Sequence, residues 1–185
     1  MISNISFKAN YIKPTVVQKR TTDGSYADSK GSFIEFDYKN KKDMDSLKKV
    51  SDTWGAGTFA YDIYEETTQA IEEDNDENKH TYAITQQRSG FDDVNPDEIM
   101  GLAFVEEKSP KEKELVYLQV DPFIAKTYED KPIRHIGSAM LESLKSISSN
   151  SAITLKAVNS AFDFYETNGF KNDPKRSALE YIWNA

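Results

Sequence analysis

From Ser32 to Tyr38, Phe33, Ile34 and Phe36 stand among charged residues, which predicts a first core strand. The period then lengthens. Met44, Leu47, Val50 and Trp54 recur at helical spacing, with Asp43 as N-cap and Gly55 as stop. A second helix follows on the stripe Ala60, Ile63, Tyr64, Thr67, Ala70 and Ile71 and frays where it meets a run of carboxylates. Thr81–Thr85 and Ile99–Val105 read as antiparallel neighbours, and Glu114–Val120 as a central strand covered on both faces and stopped by Asp121-Pro122. Arg134–Ala139 opens a helix with Met140, Leu141, Leu144 and Ile147 on its apolar face, ending at Asn150. Ala152–Val158 is a further strand. Ser160 and Asp163 then form a capping-box-like start for a short helix through Thr167, closed by Gly169, and Tyr181–Trp183 supplies an edge strand. This order predicts an α+β architecture with a mixed, mostly antiparallel central sheet flanked by helices, parallel only around the Gly137 turn.

At 185 residues with 38% hydrophobic, the chain supports one sizeable core. Residues 1–31, with the Gly, Ser and Asp stretch Thr21–Gly31, are expected to be an N-terminal arm and loop preceding a domain over 32–185. The net charge of −8 argues against non-specific grip on nucleic acid or anionic lipid. The absence of Cys excludes disulfides, thiolate metal sites and a Cys nucleophile. Neither a transmembrane run nor a signal peptide is visible, so a cytoplasmic protein is expected. Charge is unevenly spread: residues 1–130 hold 16 basic and 26 acidic side chains, and 131–185 hold 7 and 5. Between Glu65 and Asn78, seven carboxylates occur without one Lys or Arg.

Two segments carry candidate chemistry. In the first, Arg134-x-x-Gly137-x-Ala139 joins a buried strand to an amphipathic helix, which makes an anion cradle: glycine permits close backbone approach, and the helix N-terminus presents N–H groups and a positive dipole end. The second, Ala161-Phe162-Asp163-Phe164-Tyr165-Glu166-Thr167-Asn168-Gly169-Phe170, follows directly on a strand. His80 and His135 are the only histidines, and neither has carboxylates at metal-ligand spacing, so no metal is expected.

Together the segments resemble the acetyl-coenzyme A site of the GCN5-related N-acetyltransferase (GNAT) family, with its Gln/Arg-x-x-Gly-x-Gly/Ala loop and later Ala-x-x-Phe-Tyr-x-x-x-Gly-Phe stretch. The match is close from Ile99 to Phe170 and looser from Phe33 to Thr85. The resemblance implies a GNAT-like acyl-CoA N-acyltransferase fold and a cytoplasmic acetyltransferase using acetyl-CoA as co-substrate, with an amine acceptor, as a monomer or homodimer. Backbone N–H groups of Arg134, His135, Ile136, Gly137, Ser138 and Ala139 would hold the cofactor pyrophosphate, and the main chain at Leu118, Gln119 and Val120 would pair with the pantetheine arm. Tyr165 matches the family tyrosine that protonates the departing thiolate, and Glu114 is the candidate general base, with Glu106 and Glu107 as competitors.

The sequence departs from the family pattern in three places. His135 stands where many members have glycine, the link from Pro122 to Ile133 is long, with Lys126 and Lys131 available to the cofactor, and the usual pantetheine-binding Asn position is Val158, leaving Asn159 as the candidate amide. The acidic N-terminal part suggests a cationic acceptor, either a small molecule or a protein amine. The alternatives are a non-catalytic acyl-CoA sensor or protein-interaction module.

Overall fold

The computed structural model describes residues 9–74, 77–125, 131–148 and 150–185. Strand pairing begins earlier than the apolar pattern suggests. Strands β1 (Asn10–Arg20) and β2 (Tyr26–Glu35) form an antiparallel hairpin registered from Asn10 opposite Glu35 to Arg20 opposite Tyr26. Over Asn10–Gly31 this hairpin stands where an arm and loop are expected, with a register shift between Tyr11 and Lys13 and a turn after Arg20. The pattern concealed β1 because only Thr15 and Val17 in it are buried, so backbone pairing sustains it rather than apolar alternation. Among the described residues the far side of β1 pairs only at Gln18 and Lys19, away from Pro14, which accords with a proline at this position.

The elements that follow are α1 (Lys41–Trp54), α2 (Phe59–Glu72), β3 (Lys79–Thr85), β4 (Ile99–Ser109), β5 (Glu112–Val120), α3 (Pro122–Ala125), β6 (Ile133–Arg134), α4 (Ile136–Ile147), β7 (Ala152–Lys156), α5 (Phe162–Thr167), β8 (Lys171–Asn172) and β9 (Glu180–Trp183). The described strands form one sheet in the order β6-β1-β2-β3-β4-β5-β7-β9-β8. Only β5 and β7, joined through α4, run parallel. The sheet is therefore mixed and mostly antiparallel, as the pattern predicts. Because β9 pairs with both β7 and β8, the edge belongs to β8.

Alternation along the strands serves two cores. On one face Tyr82 and Ile84 pack with Met140, Leu141 and Leu144 of α4; on the other Ala83 joins Leu47 and Val50 of α1 and Ile63 of α2. Full burial of each Leu, Ile or Met contributes about 1.5–3 kcal/mol. Ile71, placed on the α2 stripe by its spacing, is exposed because the helix ends one residue later.

Gly31 sits where β2 runs close to β3. A Cβ there would lie 2.4 Å from the Thr85 carbonyl oxygen, a backbone atom that cannot swing away. Gly31→Ala should therefore destabilise the fold by about 1–3 kcal/mol, read as a lower thermal midpoint.

The cap of α1 is not Asp43 but Asn40, whose side chain accepts from the Lys42 N–H. Asp43 lies inside the first turn, 1% exposed, accepting from the Asp37 N–H at 2.9 Å and the Asn40 amide at 3.1 Å. Burial, reinforced by the charges of Asp37 and Asp93, pushes its carboxyl up to about 6 despite those hydrogen bonds. The folded chain thus holds this proton to higher pH than the unfolded chain. Its stabilising contribution is complete below about pH 4 and is lost as pH rises through 6. Asp43→Asn should remove that slope, gaining on the wild type between pH 4 and 7 by roughly 3 kcal/mol at most in paired denaturation curves.

Candidate active site

Strand β5 is central but only half covered. Its register against β4 passes from Phe104 opposite Tyr117 to Val105 opposite Leu115, leaving Val116 as an extra residue that forms a bulge. On the other side it pairs with β7 only from Glu112 opposite Ala152 to Leu115 opposite Leu155. Beyond Leu115 the two strands part, and among the described residues no strand pairs with Val116–Val120 on that side. Both faces of β5 meet a core, Leu115, Leu118 and Val120 on one and Val116 and Tyr117 on the other, but the expected cover is only partial: Leu115 alone in β5 is buried.

A cleft of about 930 Å3 opens at this parting. Leu118, Gln119 and Val120 line one wall, Arg134, His135, Ile136, Gly137 and Ser138 another, and Ser160, Ala161 and Phe164 a third. The strand segment and the anion loop, distant in sequence, thus share one space. Helix α4 starts at Ile136, so the N–H groups of Ile136, Gly137 and Ser138 lack intrahelical partners. Ala139 does not share that freedom: its N–H donates to the His135 carbonyl at 2.8 Å, and the residue is buried in the core. The N–H groups without an intrahelical partner therefore end at Ser138.

A Cβ at Gly137 would lie 3.0 Å from Phe164 Cζ, so the glycine is what lets α5 close against the helix start. His135 adopts φ 65°, the left-handed conformation that glycine takes without cost, and lines the cleft with no side-chain hydrogen bond to the helix end. Gln119 spans two elements, accepting from the Phe59 N–H at 3.1 Å and donating to the Val120 carbonyl at 2.6 Å. That link brings Phe59, the first residue of α2, to the cleft rim.

The aromatic helix is arranged differently from its sequence reading. No capping box forms: a tight 3-10 turn at Asn159–Ala161 precedes α5, and Ala161 caps it without a side-chain bond. Asn159 is outside the cleft lining; its neighbours Ser160 and Ala161 are in it. Phe164 faces the cleft, whereas Tyr165 contacts the rings of Phe164, Phe170 and Tyr181 at 5.1, 5.8 and 6.4 Å. Burial pushes the Tyr165 phenol up to about 12.

Glu114 lies in the paired half of β5. It meets Lys108 at 3.1 Å, and Lys108 also holds Glu106 at 2.5 Å. Glu107 is paired with Lys113 at 2.5 Å, which holds its carboxyl below the usual range. Glu112 and Glu114 point away from Leu115 and border a second depression, of about 220 Å3, with Lys108, Thr154, Lys156 and Arg176. The Arg176 guanidinium grips Glu112 at 2.6 and 3.0 Å.

Sequence spacing also missed the partner of His80. Strand register brings Glu35 of β2 to 2.6 Å from its Nδ1. No group of three or more His, Cys, Asp or Glu side chains among the described residues is arranged to hold a metal. No helix among them is long and apolar enough to cross a membrane. Lys126 lies outside the described residues, while Lys131 lines the cleft.

The mixed sheet, the splayed β5 and the loop-to-helix turn define the GNAT acyl-CoA N-acyltransferase fold. A GNAT-family protein from Desulfovibrio desulfuricans is 12% identical, with a TM-score of 0.56 over 83% of this chain and 98% of its own. A GNAT-family acetyltransferase from Staphylococcus aureus is 15% identical, with a TM-score of 0.52 over 82% and 97%. The N-acetyltransferase PseH of Campylobacter jejuni is 14% identical, with a TM-score of 0.50 over 82% and 96%. No family model matches the sequence, and neither does any curated protein.

Proposed function

We propose that the protein is an acetyl-CoA-dependent N-acetyltransferase that passes the acetyl group directly to an amine. One observation carries this reading: Leu118, Gln119 and Val120, on the stretch of β5 that β7 leaves unpaired, and the N–H groups of Ile136–Ser138, which lack intrahelical partners, share one cleft. An extended pantetheine arm needs a strand edge, and a diphosphate needs clustered N–H donors at a helix start. The residues accord with both: Leu118, Gln119 and Val120 line one wall of the cleft and the start of α4 another.

In the transfer, the neutral amine, its ammonium proton already given to a base, forms a C–N bond to the thioester carbon; the C–S bond breaks, the coenzyme thiolate takes a proton from the donor, and the second proton released by the nitrogen restores that donor. Tyr165 is the proposed donor. With its phenol raised to about 12 it stays protonated throughout the neutral range, so it can give a proton but not remove one from the amine. Glu114 is the proposed base: its carboxylate borders the second depression 3.1 Å from Lys108 and must leave that ion pair to take the proton of the amine. Holding amine and thioester together supplies much of the acceleration.

A cationic acceptor accords with the carboxylates Glu66 and Asp62 of α2, whose charges act on Tyr117 of β5 and, after burial, raise its phenol. Acetyl transfer to an amine panel, followed by free-thiol release at rising ionic strength, tests the reading. Turnover on cationic amines that falls with salt supports it, and preference for neutral or acidic acceptors regardless of salt contradicts the cationic acceptor. A second reading, a non-catalytic acyl-CoA sensor, draws on the packing of Tyr165 among rings and on the ion pairing of Glu114. It predicts cofactor binding with no thiol release on any amine.

A further inference from the structure

Strand β1 and most of β2 lie outside the segment that resembles the family in sequence, yet they hold the approach to the start of α4 residue by residue. Gln18 and Lys19 of β1 pair with Arg134 and Ile133 of β6, and the Arg20 N–H donates to the Pro132 carbonyl at 2.9 Å. The Tyr26 hydroxyl donates to the Lys131 carbonyl at 2.8 Å. The guanidinium carbon of Arg134 lies 3.9 Å from the centroid of the Tyr26 ring. Residues 131–134, which enter directly on the free N–H groups of α4, are thus fastened to β1 and β2.

The Tyr26 contact has a chemical consequence. A guanidinium carries its N–H donors in its plane, so a ring beneath its face fixes its orientation without consuming a donor. Among the described residues no carboxylate pairs with Arg134, and its side chain is exposed on the cleft wall. An oriented cation with uncommitted donors beside a helix N-terminus is matched to a phosphoryl group. We propose that Tyr26 is a positioning residue of the cofactor site, holding Arg134 so that its guanidinium receives a phosphoryl group of coenzyme A. The proposal rests on the acyl-CoA reading of the cleft. It makes the hairpin a working part of that site.

The test is a double-mutant cycle on CoA binding by isothermal titration, with 3′-dephospho-CoA as a second probe. Tyr26→Leu should raise the dissociation constant for CoA about five- to tenfold, the loss of one oriented cation–π contact. Tyr26→Phe, which keeps the ring, should stay within twofold. Arg134→Gln should lose at least as much as Tyr26→Leu, and the double variant no more than Arg134→Gln alone, because Tyr26 acts only through that side chain. If the group held is the 3′-phosphate, the losses vanish with 3′-dephospho-CoA; if it is the diphosphate, they persist, and either supports the proposal. Should Tyr26→Leu fail to fold, Tyr26→Thr completes the same cycle. Additive losses, or wild-type affinity in Tyr26→Leu or Arg134→Gln, would overturn it. Wild-type protein with no affinity for CoA at millimolar concentration would instead overturn the acyl-CoA reading on which it rests.

Discussion

Tyr165→Phe should lower turnover by about 10²- to 10⁴-fold, the usual contribution of a positioned general acid, while the dissociation constant for acetyl-CoA stays within twofold. The substitution removes one hydroxyl and keeps the ring that packs against Phe164, Phe170 and Tyr181. The thermal midpoint should therefore hardly move. Burial favours the neutral phenol and raises it to about 12, so the wild-type rate should show no loss from its deprotonation until well above pH 10. Steady-state rates by free-thiol release between pH 6 and 10, with acetyl-CoA titrations on both proteins, check this. Equal turnover in the two proteins would remove Tyr165 from the mechanism and leave Phe164, which faces the cleft, as a purely steric neighbour.

Gly137→Val should weaken acetyl-CoA binding by about 10²-fold or more, through the loss of hydrogen bonds to charged oxygens worth about 1.5–3 kcal/mol each. The added Cβ meets the Phe164 ring at 3.0 and 3.3 Å and Val120 Cγ2 at 3.8 Å. The valine methyls then force Phe164 toward the cleft or α5 away from α4, at about 1–3 kcal/mol of stability. Gly137→Ala should be milder, since the Phe164 ring edge can yield, and adding Phe164→Ala should restore part of its affinity. Titration calorimetry with thermal melts separates the binding loss from the folding loss.

What the sequence disclosed and what it hid follow from the range of the forces involved. Helix α4 and the glycine-containing turn that opens it are legible because helical period, small residues and glycine occur together within a few positions of one another. The limit of that turn is not. The Arg-x-x-Gly-x-Ala pattern runs to Ala139, but a helix beginning at Ile136 commits the Ala139 N–H to His135. The continuous apolar run of β5 announced a central strand with a core on each face but not the open edge of its second half, which depends on β7 ending its pairing with β5 at Leu155. Pairing across the sheet was equally hidden: β1 buries only Thr15 and Val17, and His80 finds Glu35 through register alone.

Helix α5 shows the same limit at the scale of one residue. Phe164 and Tyr165 are adjacent, and which of them faces the cleft depends on the helix phase. The tight turn at Asn159–Ala161 sets that phase, and no hydrophobic period within six residues could. The expected Ser160–Asp163 capping box failed for the same reason, with the helix starting two residues after Ser160.

Amide hydrogen exchange with and without acetyl-CoA tests the central claim most directly. The account predicts slowed exchange concentrated at Val116–Val120 and at Ile136–Ser138, the two sets of backbone donors that share the cleft. Saturating acetyl-CoA that leaves both segments unprotected, or protects only residues elsewhere, would contradict it.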